Sequence, residues 1–510
     1  MSNKSRPGDG TLAPLEELNA QLAFTEDAQR PDAVAGRHSR GFRTARENLA
    51  DLVDEGSFVE YGQLAVAAQR GRRELDDLRT NTPADGVITG LATINAERIG
   101  EPSARAAVII NDYTVLAGTQ GYYHHLKLDR MISVARERQL PTVMYTEGGG
   151  GRPGDTDVTT GSGGLNVTSF VEWARLCSEV PTIAVNNGYC FAGNAALLGS
   201  ADVRIATRTS WIGMAGPAMI EGGGLGSYAP KEIGPIEVHQ GNGVLDLIAE
   251  DEEEATALAR KVLEYAQGDV KGWACAEQGS LRTAMPADRR FAYDVRGIIE
   301  TIADEGTFTE LTRGFGGAII TGFIRIEGRP LGLLANDCKV LGGAIDSEGS
   351  DKAARFLALC DKWQLPVVSL CDTPGFMVGP ASEVAGAPTR MSALFAAGAT
   401  LKVPLVCLIL RKAYGLGAMA MAGGGFHIPL YTGAWPTGET GPMGLEGAVK
   451  LGFKKELEAE QDPQAREKLF NELLDAMYEK GKAAESAAAI EIDGVFDPAD
   501  SRRTILRALA

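Results

Sequence analysis

A long repeat runs through this chain. Leu52-Val-Asp-Glu-Gly-Ser-Phe58 returns as Ile302-Ala-Asp-Glu-Gly-Thr-Phe308. Asn111-Asp112, Val115-Leu116 and Gly118 return at one constant offset as Asn336-Asp337, Val340-Leu341 and Gly343. Gln139-Leu-Pro141 returns at that offset as Gln364-Leu-Pro366, each time before an apolar run, an acid and a glycine loop. Tyr189, ahead of one Gly/Ala-rich turn, matches Tyr414 ahead of another. Solenoid repeats have periods of about 20–50 residues, so a collinear repeat of this length means two copies of a whole domain. Two related halves can face each other and hold two substrates across one cleft. Length alone would suggest about three domains. The repeat reduces that to two, near 30–285 and 286–510, preceded by a Pro/Ala/Glu-rich arm over 1–29.

Alternating apolar residues over 86–98 and 317–327 predict a strand at the start of each half. Ala106–Ile110, Thr142–Tyr145, Thr182–Val185, Val367–Cys371 and Leu405–Leu410 are continuous apolar runs, the pattern of parallel strands buried on both faces. Helical patterns lie between them, over Gly121–Arg138, Ser169–Cys177, Ser347–Trp363 and Ala385–Leu401. Repeated strand-then-helix units mean an α/β fold. Residues 251–267 and the charged tract 454–484 read as helices with solvated faces.

The bulk properties exclude several functions. A net charge of −17 lacks the basic footprint of nucleic-acid binding. The stretch 403–425 is interrupted by Arg411-Lys412 and several glycines, so it predicts a buried strand and helix rather than a membrane span. The seven cysteines have no CxxC spacing and read as reduced core residues of a cytoplasmic protein. The five histidines have no ligand spacing, so no metal is expected. Residues 1–10 are polar and lack the apolar core of a secretory signal.

Four glycine-rich turns follow buried strands: Glu147–Arg152, Asn187–Gly193, Asp372–Phe376 and Tyr414–Ala418. A glycine turn that opens a helix presents unpaired amides and the positive end of the helix. Such amides bind phosphate or hold an oxyanion that develops during reaction. Gly149-x-Gly151-x-x-Gly154 imitates a dinucleotide fingerprint, but Pro153 and the Asp/Thr/Gly-rich stretch after it do not continue as a helix. No GxxxxGK[ST] loop and no GxSxG elbow occurs. Many backbone donors without a convincing catalytic side chain fit chemistry in which a cofactor supplies the base.

Asn187-Gly-Tyr-Cys-Phe-Ala-Gly193, with Ala201-Asp202 and Ser210–Gly213, resembles the hole-forming segment of the crotonase superfamily. Crotonase hydratases carry a catalytic glutamate three residues after the donor glycine. That position is Ala196 here, which speaks against a hydratase. A closer resemblance spans nearly the whole chain, to the carboxyltransferase (β) subunits of biotin-dependent acyl-CoA carboxylases. It is carried by Ala45-Arg46-Glu47, Leu52–Phe58, Glu147–Arg152, Ser200–Asp202, Gly241–Gly243 and Asp372–Phe376. Arg411–Gly415, Ala434-Trp-Pro-Thr437 and Met443–Val449 complete it.

The resemblance implies two tandem crotonase-like ββα-spiral domains, the first for the acyl-CoA and the second for biotin. It implies a hexamer, a trimer of dimers, with sites shared between partner chains. Carboxybiotin would yield CO2, and a thioester enolate held by backbone oxyanion holes would capture it at the α-carbon. By position, Gly149 and Gly150 are expected to hold the thioester oxygen. Leu416 and Gly417 are expected to hold the biotin carbonyl, with a slip to Gly417-Ala418 as the alternative register. Tyr189, Gly193, Gly375, Phe376 and Met419 fall around the bound cofactors. Arg43, Arg46 and Arg152 read either as CoA-phosphate ligands or as structural cations. Short-chain members carry Asp where this chain has Met419, which implies a different or larger acyl pocket. No biotin-attachment sequence and no ATP-grasp loop occurs, so a separate biotin carboxylase and biotin carrier protein are expected as partners. A biotin-dependent decarboxylase or transcarboxylase shares every residue named; a non-catalytic assembly subunit would keep the scaffold alone.

Overall fold

The computed structural model describes residues 13–158 and 165–510; residues 1–12 of the expected arm lie outside the described residues. The chain divides into two compact units, Met1–His239 with Leu247–Glu264, and Gln240–Asp246 with Tyr265–Ala510. Residues 265–285, read from the sequence as the end of the first half, group with the second unit. Tyr265 stacks on Phe323 at 5.2 Å, Arg325 donates to the Gly268 carbonyl at 2.8 Å, and Leu281 belongs to the second core.

The first unit is built on a seven-stranded sheet. Its strands, in spatial order, are Val59–Tyr61, Val87–Thr93, Arg105–Asn111, Thr142–Tyr145, Thr182–Asn186, Val203–Thr207 and Leu247–Ala249. The two pairings at its start are antiparallel and the rest parallel. The second unit repeats this order with Thr309–Leu311, Ile319–Ile326, Arg329–Asn336, Val367–Thr373, Leu405–Tyr414, Tyr431–Ala434 and Gly494–Val495. Register repeats too: Val108 pairs with Val143 and, at the same repeat position, Leu333 with Val368. Residues 86–98, expected as one strand, stop at Thr93, because Asn95 turns left-handed (φ 69°) into the short helix Ala96–Ile99.

The repeated Gln-Leu-Pro tripeptide ends a helix in each unit. Tyr122–Glu137 and Ser347–Lys362 are followed by Gln139 and Gln364 in the left-handed region, at φ 52° and 58°. The next amide reaches back over the turn, Leu140 to the Ala135 carbonyl and Leu365 to that of Cys360, both at 2.9 Å. That is the Schellman closure, normally given to glycine because a Cβ is strained there. Each glutamine offsets the strain by donating its side-chain amide to a last-turn carbonyl, Arg136 O at 2.8 Å and Asp361 O at 2.6 Å. Proline then bars a further helical turn and the strand begins.

The two helices also share a buried cation. Lys127 donates Nζ to the carbonyls of Ala84 and Val87, and Lys352 to those of Phe315 and Ile319. Each ammonium ties its helix to the turn that enters the antiparallel hairpin. Burial pushes both groups down to about 8, whereas an unfolded lysine titrates near 10.4. Between those values the unfolded chain binds more protons than the folded one, so stability rises with pH across that window. The stability of wild type relative to Lys352→Met should therefore rise from about pH 8 to about pH 10, by up to about 3 kcal/mol. Denaturant titrations at the two pH values measure it, and a flat gap refutes charge burial.

Candidate functional site

In the first unit the strand Thr182–Asn186 runs through Asn187-Gly188 and the short strand Tyr189–Phe191 into the helix Gly193–Ser200. Ala192 makes the corner at φ 54°, ψ −119° and donates its own amide to the Gly213 carbonyl at 3.0 Å. Ala196 donates to Ala192 O at 3.0 Å, so helical bonding starts there. The amides between, of Gly193, Asn194 and Ala195, have no acceptor among the described residues. They are the orphan donors of a helix start.

Gly149 and Gly150 take a different role from the one expected. The Gly149 amide donates to Ala117 O at 3.1 Å and that of Gly150 to Asn194 Oδ1 at 3.0 Å. Their neighbours are stitched in the same way: Gly148 donates to Tyr189 O and Arg152 to Gln120 O. The loop lies between the turn Leu116–Gly118 and the start of the helix Gly193–Ser200, and its amides are spent joining them. Gly150 is left-handed at φ 88°, and a Cβ there would sit 2.8 Å from that of Ala192. Gly148, Gly149 and Gly150 thus form a strut against the corner at Ala192, with their amides already engaged within the protein.

A buried acid starts this loop. Glu147 takes both arms of the Arg37 guanidinium at 3.0 and 2.7 Å, and Arg37 also stands 4.0 Å from Glu252. Burial raises the Glu147 carboxyl, and the Arg37 charge opposes that rise. Arg37, on the helix Pro31–His38, carries no sequence signal that would have revealed this contact. The three cations offered as phosphate ligands are likewise committed to carboxylates. Arg46 pairs with Glu60 at 2.7 Å, Arg152 with Asp85 at 2.7 Å and Asp155 at 2.9 Å, and Arg43 with Asp51 at 2.5 Å. All three are thus ion-paired within the first unit. Tyr189 stacks on Phe191 and Trp211, with centroids 5.7 and 5.0 Å apart.

The second unit builds the matching corner. Its strand Leu405–Tyr414 passes directly into the helix Gly415–Met421. Gly415 turns at φ 57°, and the amides of Leu416 and Gly417 have no acceptor among the described residues. Ala418, the fourth helical residue, stands where an amide can bond back to the N-cap carbonyl. Gly417 is buried, and a Cβ on it would lie 2.6–2.9 Å from the Gly375 and Phe376 backbone. The strand Val367–Thr373 thus ends pressed against the first turn of the helix. Gly375 gives its amide to Thr373 Oγ1 at 3.1 Å, so Gly375 shapes the floor rather than donating to a ligand. Phe376 packs on Phe395 at 6.0 Å. Leu416 is 61% exposed and Met419 38%, so both side chains form the rim. Asp372, at the repeat position of Glu147, meets Arg411 at 3.0 Å and accepts from the Lys412 amide at 3.0 Å.

Among the described residues no group of three His, Cys, Asp or Glu could hold a metal ion. Among the described residues no helix is long and apolar enough to cross a membrane.

Comparison with known proteins identifies the family and the fold. Residues 36–510 match the carboxyl transferase domain. The chain is 32% identical over 97% of its length to the methylmalonyl-CoA carboxyltransferase 12S subunit of Propionibacterium freudenreichii subsp. shermanii, covering 93% of that protein. It is 31% identical over 98% of its length to the propionyl-CoA carboxylase beta chain of Saccharopolyspora erythraea, covering 92% of it. Among solved structures, a transcarboxylase 12S hexamer superimposes with a TM-score of 0.84 at 30% identity, over 99% of this chain and 96% of that one. A single-chain, multi-domain long-chain acyl-CoA carboxylase superimposes with a TM-score of 0.93 at 54% identity. That match covers 98% of this chain but only 49% of the larger enzyme. The chain belongs to the carboxyl transferase family.

Proposed function

We propose that this chain is the carboxyltransferase component of a biotin-dependent acyl-CoA carboxylase, and that its acyl-CoA is long-chained. The observation that carries the reading is the pair of helix starts, one per unit, whose first amides lack an acceptor among the described residues. Biotin, brought on a carrier protein, would supply the carboxyl group and then the base that takes the α-proton. The chain's own part is electrostatic. Gly193 and Asn194 would hold the thioester oxygen as the enolate forms, replacing Gly149 and Gly150 in that role. Leu416 and Gly417 would hold the biotin ureido oxygen. This register is supported over Gly417-Ala418 because orphan donors occupy the first three helical positions. Fixed amides are effective here because they need no reorganisation as charge develops.

Long acyl chains are supported by the 54% identity to the long-chain enzyme and by uncharged Met419 on the rim of the second corner. The partners proposed are a biotin carboxylase and a biotin carrier, and the assembly is the hexamer described for the 12S relative. The seven cysteines, all free and six of them buried, favour a reducing compartment, the cytoplasm.

Two measurements test this. Leu416→Pro deletes one amide at an exposed side chain, in the first turn where proline is tolerated. It should lower kcat by about 100- to 1000-fold with the fold intact by circular dichroism. Leu416→Ala keeps the amide and should retain most of the activity; equal rates in the two variants would remove the hole from this helix. Met419→Asp places a charge beside the acyl path and should reduce kcat/KM for palmitoyl-CoA relative to propionyl-CoA by about tenfold. An unchanged ratio in a chain-length screen would take Met419 out of acyl selection.

A further inference from the structure

Beside the second corner lies a buried acid that the reaction just described does not use. The strand Glu439–Gly441 runs parallel to Lys412–Tyr414, the end of the strand that feeds the helix Gly415–Met421. Glu439 is 1% exposed, and neither carboxylate oxygen has a hydrogen-bond partner among the described residues. The buried Tyr414 hydroxyl has none either. Among the described residues the cation paired with Glu439 is Arg289, 3.7 Å from Oε2, and Arg289 is shared with Glu446 at 3.8 Å and the Tyr478 ring at 5.0 Å. Burial raises the Glu439 carboxyl, with Arg289 and the Tyr414 hydroxyl opposing the rise. Burial and the Glu439 carboxylate together raise the Tyr414 phenol.

A buried donor and a buried acceptor, each alone, forfeit the hydrogen bonds water gave them unless they meet. The backbone around them restricts Tyr414. A Cβ on Gly441 would sit 3.4 Å from the Tyr414 ring, and one on Gly415 3.0 Å from the Pro442 carbonyl. Tyr414 is therefore wedged between this strand and its own helix start, with Glu439 as its polar neighbour. Two residues further along the chain is Leu416. The repeat position in the first unit, Tyr189, stacks on Phe191 and Trp211 instead. The acid brace is thus a feature of the second corner.

We propose that Glu439 is a positioning residue for the biotin half of the reaction. In the working enzyme its carboxylate is the acceptor to which the Tyr414 hydroxyl, unpaired in this structure, turns, and through that tyrosine it sets where the Leu416 and Gly417 amides point. The inference rests on reading those amides as the biotin-side donors.

The test uses the complete enzyme, with carboxylated carrier and palmitoyl-CoA varied separately. Glu439→Ala should lower kcat by about 10- to 100-fold and raise the KM for carrier, leaving the KM for palmitoyl-CoA within about twofold. Glu439→Gln, which keeps an acceptor, should recover most of the loss. The double variant Glu439→Ala/Tyr414→Phe should fall no further than the worse single variant, because both changes break one contact. Hydrogen–deuterium exchange of residues 415–418 should accelerate in Glu439→Ala and return to normal in Glu439→Gln. Additive losses, a palmitoyl-CoA KM that moves in step with kcat, or unaltered exchange in Glu439→Ala would each overturn the proposal. If Leu416→Pro matches Leu416→Ala, the amide reading fails and Glu439 loses its target. If Leu416→Pro is inactive while Glu439→Ala behaves as wild type, only the brace fails.

Discussion

A backbone amide has one proton to give, and each corner of this fold is decided by where that proton goes. A helix that starts directly after a strand leaves its first amides beyond the reach of either ladder. At Gly193-Asn194 and Leu416-Gly417 no other group among the described residues takes them. The glycine loop of the first unit spends its donors as scaffold, the Gly149 amide on the turn behind and that of Gly150 on the helix ahead. In the second unit Gly375 gives its amide to Thr373 Oγ1 within its own loop.

Those inward-bound loops need an anchor, and each has a buried acid–arginine pair. Glu147 meets Arg37 from a helix early in the chain, whereas Asp372 meets Arg411 from the adjacent strand. Both acids occupy the same repeat position, yet their arginines come from unrelated places. Such pairs gain little net stability against well-packed apolar groups, but losing one partner leaves a charge stranded in the interior. They fix the geometry of the loop more than they stabilise the fold. The corners have since diverged, one with an aromatic stack around Tyr189 and the other with an acid beside Tyr414.

Much of the fold was legible in the sequence because the repeat samples one architecture twice. Gln139-Leu-Pro141 and Gln364-Leu-Pro366 each encode a helix stop, a left-handed residue and a strand start. The apolar runs marked the parallel strands. The strand Arg329–Asn336 was not anticipated, since Pro330 and Gly332 interrupt its apolar pattern. Position in a motif marked the two strand-to-helix corners to within one turn, but it could not say which glycine amides lack an acceptor. Gly149 and Gly150 look like donors in any linear reading; only the approach of Ala117 and Asn194 shows their protons already taken. Arg37 and Glu439 were illegible for a related reason, because a lone charge in a helix or strand looks solvated until its surroundings are known.

The contact of Gly417 with the Gly375 backbone has one more consequence. Where main chain rests on main chain, there is no rotamer to adjust and no side chain to exchange. Mutation therefore has little to vary at the floor of this corner, and variation is confined to the rim, at positions such as Leu416 and Met419. A lineage built on this scaffold can drift toward new acyl groups while its chemistry stays the same, because the part that selects and the part that reacts are made from different kinds of atoms.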